Sequence, residues 1–136
     1  MVKGIGVDIV ENSRFSGKGM NFLEKIFTQL EIQEGDKRTV KDQYYASRFA
    51  VKEAVSKAMG TGFTSLGPKD VETYEEASGC PKVRIRGMED PCFHISISHE
   101  REYSVAMAIW EEERAGRIGI DLKLKCLKTK EGLPFS

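Results

Sequence analysis

The longest helical pattern in the sequence contains the run Arg48-Phe49-Ala50-Val51-Lys52-Glu53-Ala54-Val55-Ser56-Lys57-Ala58. The pattern extends from about Thr39 to Met59 without a proline or a glycine, which are the residues that interrupt helices. It ends at Gly60, a residue suited to the left-handed position that follows a helix. We therefore predict one long helix here, and the other elements are arranged around it.

The shorter elements divide unequally between the two halves of the chain. We predict a helix of about 14 residues capped by Asn12-Ser13, and a short helix that begins with the capping box Thr28-Gln29-Leu30-Glu31. Alternating apolar residues predict strands at residues 3–10, 93–97 and 105–109, and a hairpin over residues 70–76 and 81–86. Helices lie mainly in the first half and strands in the second, so the fold class is α+β.

Composition excludes several classes of protein. The chain has 136 residues and a mass of 15.3 kDa, which fits one compact domain. Its 21 Lys and Arg balance 21 Asp and Glu, whereas a general nucleic-acid binder carries a basic excess. No apolar run approaches the ~20 residues that a membrane helix needs. Three widely spaced cysteines, Cys80, Cys92 and Cys126, suit a reducing cytoplasm rather than a disulfide framework.

Charged residues on the long helix form two adjacent rows. Glu53 and Lys57 are four residues apart and share one face, either as a simple surface pair or as part of a site. The neighbouring row holds Arg48, Lys52 and Ser56 at the same spacing. Together the rows offer a carboxylate, three cations and a hydroxyl, a set that suits a divalent ion with a diphosphate.

Two further positions offer polar groups in apolar surroundings. Asp8 interrupts the first strand, either as a strand-end carboxylate that faces water or as a ligand for a hard metal ion. His99 ends the run Ser96-Ile97-Ser98-His99 and is either a histidine of a solvent-facing turn or part of a second phosphate-binding surface. The other histidine, His94, has no partner visible in the sequence.

Several separate motifs, in a fixed order, carry a resemblance to a known family. They are Gly4-Ile5-Gly6-Val7-Asp8-Ile9-Val10-Glu11, Phe27-Thr28-Gln29-Leu30-Glu31, the run from Arg48 to Ala58, Gly60-Thr61-Gly62 and Ser96-Ile97-Ser98-His99. Over residues 3 to 110 the chain resembles the holo-acyl-carrier-protein synthases, the single-lobed family of 4′-phosphopantetheinyl transferases. Each motif alone is weak, but their shared order is specific.

The resemblance implies an activity and a set of site residues. Members transfer 4′-phosphopantetheine from coenzyme A to a serine of apo-acyl carrier protein in fatty acid biosynthesis, and release adenosine 3′,5′-bisphosphate. By this likeness Asp8 and Glu53 would bind Mg²⁺ on the coenzyme A diphosphate, and Lys57 would neutralise that diphosphate. Arg48 and His99 would reach coenzyme A phosphates, with Ser56 and Gly60 at the border of the pocket.

The resemblance also implies an assembly and a domain division. Family members form trimers in which the active site lies between subunits. Each subunit has an antiparallel sheet packed against the long helix. We expect residues 1–112 to form the transferase domain. Residues 113–136 are longer than the family pattern needs and form a C-terminal extension, in which alternation from Arg117 to Leu124 predicts an added strand before a flexible tail. The acidic carrier protein would dock on the first helix, where the available cations are Arg14, Lys18 and Lys25.

Three alternatives stay open. Asp121, in the repeat-like stretch Ile118-Gly119-Ile120-Asp121, is a rival to Asp8, although no helix of the Lys52-Glu53 type follows it. A different magnesium enzyme that acts on a diphosphate, such as a nucleotide hydrolase, would use the same carboxylates and lysine. A non-catalytic module that binds coenzyme A is the third, and the intact set of Asp8, Glu53 and Lys57 argues against it.

Overall fold

The computed structural model describes residues 1–60 and 66–112, and these build a helical layer on an antiparallel sheet beside a separate hairpin. The α+β class is therefore confirmed. The helices are α1 (Met20–Leu23), α2 (Gln29–Asp36) and α3 (Lys41–Ala58), with 3₁₀ turns at Asn12–Phe15 and Pro68–Asp70. The strands are β1 (Val2–Glu11), β2 (Val71–Glu75), β3 (Pro81–Ile85), β4 (Phe93–His99) and β5 (Tyr103–Glu111).

The three-stranded sheet has the order β1-β5-β4, and both pairings are antiparallel. Strand β1 pairs Gly6 with Ala108 and Asp8 with Ala106, so these residues share the face that α3 covers. The predicted hairpin is confirmed as β2 paired with β3. The long helix is also confirmed, with bounds that differ from the prediction by one or two residues at each end.

Helix α3 approaches β1 at two glycines. A Cβ atom at Gly4 would lie 1.8 Å from the Ala58 carbonyl oxygen, and one at Gly6 would lie 1.9 Å from the Ala54 carbonyl oxygen. Any larger residue would therefore push the helix away from the strand. Because the strand and the helix run in opposite directions, the next residue on this face of β1, Asp8, lies beside the turn that contains Glu53.

The opposite face of the sheet, here called the open face, is apolar and exposed. Its centre consists of alternate residues of β1 and β5, namely Ile5, Val7, Ile9, Val105, Met107 and Ile109. Ile5 and Ile9 are each 62% exposed, and Val7 is 51% exposed. An apolar patch of this kind on a folded chain is typical of a surface that contacts another protein.

The prediction of a 14-residue helix after Asn12-Ser13 is wrong. The segment instead contains the 3₁₀ turn, a break and the four-residue α1, because Gly17 adopts the left-handed φ of 67°. Asn12 does not cap a helix: its buried side chain donates to the carbonyls of Glu100 and Arg101 and accepts from Ser104 Oγ. It therefore anchors the end of β1 to the turn between β4 and β5.

Two sequence expectations on the tail, the strand at about Arg117 to Leu124 and the position of Asp121, lie outside the described residues. Within the described ranges, none of the helices has the length and apolar character needed to cross a bilayer.

Candidate active site

Asp8 and Lys57 form the first part of the site. Lys57 Nζ lies 3.0 Å from Asp8 Oδ1 and donates a second hydrogen bond to the Val7 carbonyl, also at 3.0 Å. The side chain of Asp8 is 18% exposed and that of Lys57 is 54% exposed. Asp8 thus faces α3 rather than open water, while the ammonium group of Lys57 stays accessible to a ligand.

Glu53 completes a group that we call the carboxylate cluster: Asp8, Glu53 and Lys57. Glu53 lies one turn before Lys57 on α3. Partial burial raises the pKa of the Glu53 carboxyl, and the negative charge of Asp8 raises it further, while Lys57 and Arg14 oppose the shift. Because the charge of Asp8 acts on Glu53, these two carboxylates, distant in sequence, lie close together in the fold.

The donor chemistry of this cluster fits a hard divalent cation. Mg²⁺ binds oxygen ligands, commonly one or two carboxylates with phosphate oxygens and water. Asp8 and Glu53 supply two carboxylates at a partly exposed position, and like charges placed together are favourable when a cation lies between them. The cluster can therefore hold a divalent ion and leave room for further oxygen ligands.

Arg48 and His99 line a different place, a cavity of about 600 Å³ between α3, the hairpin and β4. Arg48 is buried, forms an ion pair with Glu75 and lies over the Tyr44 ring. Burial lowers the pKa of the His99 imidazole, and the positive charge of Arg48 lowers it further. The described residues that line this cavity do not include Asp8, Glu53 or Lys57.

In the row Arg48-Lys52-Ser56, Arg48 lines the cavity, whereas Lys52 faces the protein interior. Lys52 is fully buried and donates to Glu31 Oε1 at 2.9 Å and to the carbonyls of Pro68 and Val71. Its inclusion among the three cations of a phosphate site was therefore wrong. Ser56 is also buried in this row, while Gly60 is exposed just after α3 and has a φ of 80°.

Sequence reasoning missed the partners of these buried groups. Glu31 was identified only as the last residue of a capping box, which the structure confirms: Thr28 N donates to Glu31 Oε1, and Glu31 N donates to Thr28 Oγ1. The same carboxylate also accepts from Lys52 and from the amide and hydroxyl of Thr73. Its position in the capping box gave no signal of this second role.

The cations expected to meet a carrier protein are at the surface. Arg14, Lys18 and Lys25 are all exposed, on the segment that replaces the predicted first helix. Arg14 lies 5.2 Å from the Phe49 ring centroid, one turn of α3 before Glu53, and its charge lowers the pKa of Glu53. Of the three, Arg14 is therefore tied to the carboxylate cluster.

The chain is similar to known proteins over most of the described fold. The sequence model of the 4′-phosphopantetheinyl transferase superfamily matches residues 4–108. A holo-[acyl-carrier-protein] synthase of Clostridium novyi is 39% identical, over 85% of this chain and 92% of that protein. A crystal structure of the Bacillus anthracis synthase in complex with CoA (3′,5′-ADP) is 34% identical, has a TM-score of 0.74 and covers 83% of this chain and 99% of its own.

A second solved structure, the Helicobacter pylori synthase in complex with coenzyme A, is 26% identical with a TM-score of 0.69, and covers 79% of this chain and 99% of its own. The chain therefore belongs to the 4′-phosphopantetheinyl transferase superfamily and, within it, to the family of holo-[acyl-carrier-protein] synthases. The resemblance, the fold and the assignment as a transferase are confirmed. The match spans almost the whole of these relatives, so it is not confined to one motif.

Proposed function

We propose that this chain transfers 4′-phosphopantetheine from coenzyme A to a serine of apo-acyl carrier protein, depends on Mg²⁺, and supplies fatty acid biosynthesis. The observation that carries the proposal is the convergence of Asp8 and Glu53 beside Lys57. The relatives named as holo-[acyl-carrier-protein] synthases support the transfer, and the two neighbours solved with coenzyme A or its nucleotide support the donor.

Each residue of the proposed site has a distinct task. Asp8 and Glu53 hold the cation, which when bound offsets the negative charge of the coenzyme A diphosphate. The ammonium group of Lys57 shifts part of its interaction from Asp8 to the same diphosphate. Its positive charge there stabilises the leaving group. Arg48 and His99 bind phosphate groups of coenzyme A, and Ser56 and Gly60 border the pocket at the end of α3.

The reaction exchanges one phosphorus–oxygen bond for another. The serine oxygen of the carrier bonds to the phosphorus that bears the pantetheine, and the bond from that phosphorus to the bridging oxygen breaks. Adenosine 3′,5′-bisphosphate leaves with the electron pair, and the serine proton passes to Glu53 or to water. Positioning and neutralisation of charge supply most of the rate in such transfers.

The separation of the carboxylate cluster from Arg48 and His99 favours a site shared between subunits. In one chain the carboxylate cluster lies outside the cavity that contains Arg48 and His99. The exposed, apolar open face offers a contact surface for further copies. We propose a homotrimer in which residues 1–112 form the transferase domain, residues 113–136 extend it, and neighbouring copies complete each site. Light scattering of the full chain tests the trimer.

The proposal also includes a cellular location and a docking surface for the carrier protein. A cytoplasmic location is favoured by the three widely spaced cysteines. The acidic carrier protein docks on the segment that contains Arg14, Lys18 and Lys25, because exposed cations steer an acidic partner. Arg14 is the most important of the three in this arrangement, since its charge already acts on Glu53.

The experiment is to incubate the full chain with coenzyme A, Mg²⁺ and apo-acyl carrier protein, and to follow the mass of the carrier. We expect the carrier to gain the mass of one 4′-phosphopantetheine group. Asp8→Asn and Glu53→Gln should each slow this gain by at least about 100-fold. Asp121→Asn is the matched control, because the same change at the rival aspartate should leave the rate unaltered.

Other outcomes separate the alternatives. Cleavage of coenzyme A without any gain of mass on the carrier would favour a diphosphate hydrolase. Binding of coenzyme A without either reaction would favour a binding module. A loss of transfer in Asp121→Asn together with full transfer in Asp8→Asn would move the metal site to the extension.

A further inference from the structure

Three metal-ligating side chains converge at the edge of the sheet, away from the carboxylate cluster. Cys92 directly precedes β4, His94 lies in β4 and Glu111 is the last residue of β5. His94 pairs with Ile109 in the ladder, and the Glu111 amide donates to the Cys92 carbonyl, so all three side chains extend from the open face. Asp8 lies on the opposite face, against α3.

The distances among the three ligand atoms match the size of a metal ion. Cys92 Sγ lies 3.9 Å from His94 Nε2 and 3.8 Å from Glu111 Oε1, while His94 Nε2 lies 2.9 Å from Glu111 Oε1. A triangle with these sides has a circumradius of about 2.1 Å, within the 2.0–2.3 Å range of zinc–ligand bonds. One ion can therefore contact all three atoms with little movement of the chain.

We propose that Cys92, His94 and Glu111 form a binding site for a first-row transition metal ion, with Zn²⁺ as the best fit. The donor set of one sulfur, one imidazole nitrogen and one carboxylate oxygen suits a borderline ion and is a poor match for Mg²⁺, which binds oxygen. Three protein ligands leave the fourth tetrahedral position open. The side chains of His94 and Glu111 are 25% and 35% exposed in the single chain.

A hydrogen bond between His94 and Glu111 is the simpler account of two of these residues. It explains their 2.9 Å separation. The Cys92 thiol in turn donates a long hydrogen bond to Glu111 Oε1 at 3.8 Å and lies 3.9 Å from His94 Nε2. The metal proposal rests on the convergence of three different donor atoms on a point about 2.1 Å from each of them.

The test is a titration of the full, metal-free chain with Co²⁺, followed by competition with Zn²⁺ in excess Mg²⁺. We expect one Co²⁺ per chain, a cobalt–thiolate charge-transfer band and the visible bands of a tetrahedral ion, all abolished by Zn²⁺ and unaffected by Mg²⁺. Cys92→Ser should remove the charge-transfer band. His94→Gln and Glu111→Gln should each weaken binding by at least about 100-fold, since even residues that only support a ligand account for 10- to 100-fold.

Two matched controls separate this site from the rest of the molecule. Cys80→Ser makes the same chemical change at the other described cysteine and should keep the band. Asp8→Asn should also keep it, because Asp8 belongs to the carboxylate cluster. Zn²⁺ should raise the melting temperature of the unaltered chain but not that of folded Cys92→Ser. An unchanged band in Cys92→Ser, or no binding at micromolar Co²⁺, would overturn the proposal.

The proposed metal site and the proposed transferase activity can be tested independently. Cys92→Ser should transfer phosphopantetheine at the rate of the unaltered chain when no Zn²⁺ is present, because Cys92 belongs neither to the carboxylate cluster nor to the described lining of the cavity that contains Arg48 and His99. His94 does line that cavity, so His94→Gln is expected to alter transfer as well as metal binding. Loss of metal binding with retained transfer would therefore concern this site alone.

Discussion

Lys52 and Lys57 lie five residues apart on α3, and each forms an ion pair of about the same length, yet they belong to different kinds of environment. Lys52 is fully buried against Glu31, and backbone carbonyls accept its remaining protons. Lys57 meets Asp8 at the surface and is more than half exposed. The first pair is satisfied within the chain, whereas the second leaves charges that a ligand can reach.

The difference between the pairs shows how one helix serves both stability and function. Burial makes the Lys52 ammonium costly, and it lowers the pKa of that group even though Glu31 acts in the opposite direction. The pair fixes α3 against α2 and the hairpin, because Glu31 also bonds to Thr73 on β2. The fixed helix then holds Glu53 and Lys57 in position beside β1.

The largest effect is expected on breaking the buried pair. Lys52→Met leaves Glu31 buried without its cation, which should lower the free energy of unfolding by about 3–5 kcal/mol. Urea denaturation followed by circular dichroism measures the change. Lys57→Met is the matched control, and its loss should stay below about 1 kcal/mol because exposed pairs contribute little. Equal losses for the two variants would contradict the distinction.

The second effect concerns activity at the exposed pair. On the proposed mechanism, Lys57→Met should lower kcat by about 100- to 1,000-fold while the chain stays folded, since it removes a charge that stabilises the leaving group. The rate of mass gain by the carrier protein measures it. Lys57→Arg is the control that keeps the charge and should retain more activity than Lys57→Met. Full activity in Lys57→Met would assign this lysine to structure alone.

The sequence alone predicted the elements with regular local patterns. Alternation along β1, β4 and β5, and the uninterrupted run from residue 39 to residue 59, are properties of adjacent residues, so these elements were found within a few residues of their bounds. Spacing along a helix, however, shows which residues share a row but not which row faces the core. Lys52 was therefore assigned to the wrong side.

Features that depend on distant parts of the chain could not be predicted. The convergence of Asp8 with Glu53 was implied only by family resemblance, because it results from the close approach of α3 at Gly4 and Gly6. His94 had no visible partner, since Glu111 reaches it through the register of β4 and β5. The break in the first helix depends on the left-handed φ of Gly17, a backbone conformation that glycine permits but does not by itself impose.

The smallest expected effect is on the pH dependence of stability, and it concerns His99 in the cavity rather than either lysine pair. His99 has a lowered pKa, caused first by burial and then by the charge of Arg48, so the folded chain binds the His99 proton less readily than the unfolded chain. The stabilising contribution of neutral His99 is therefore present above the ordinary histidine pKa of about 6.5. It is lost as the pH falls through the lower pKa that His99 has in the folded chain.

His99→Gln should remove this dependence, and it should flatten the fall in stability between about pH 7 and pH 5 by a few tenths of a kcal/mol, since the group is only half-buried. Urea denaturation at the two pH values measures it. Coenzyme A should reverse the sign in the unaltered chain, because a phosphate beside His99 favours the protonated ring. If coenzyme A leaves the pH profile unchanged, no phosphate of coenzyme A reaches His99. The cavity would then have a structural role, like the Lys52–Glu31 pair, and would not be part of the active site.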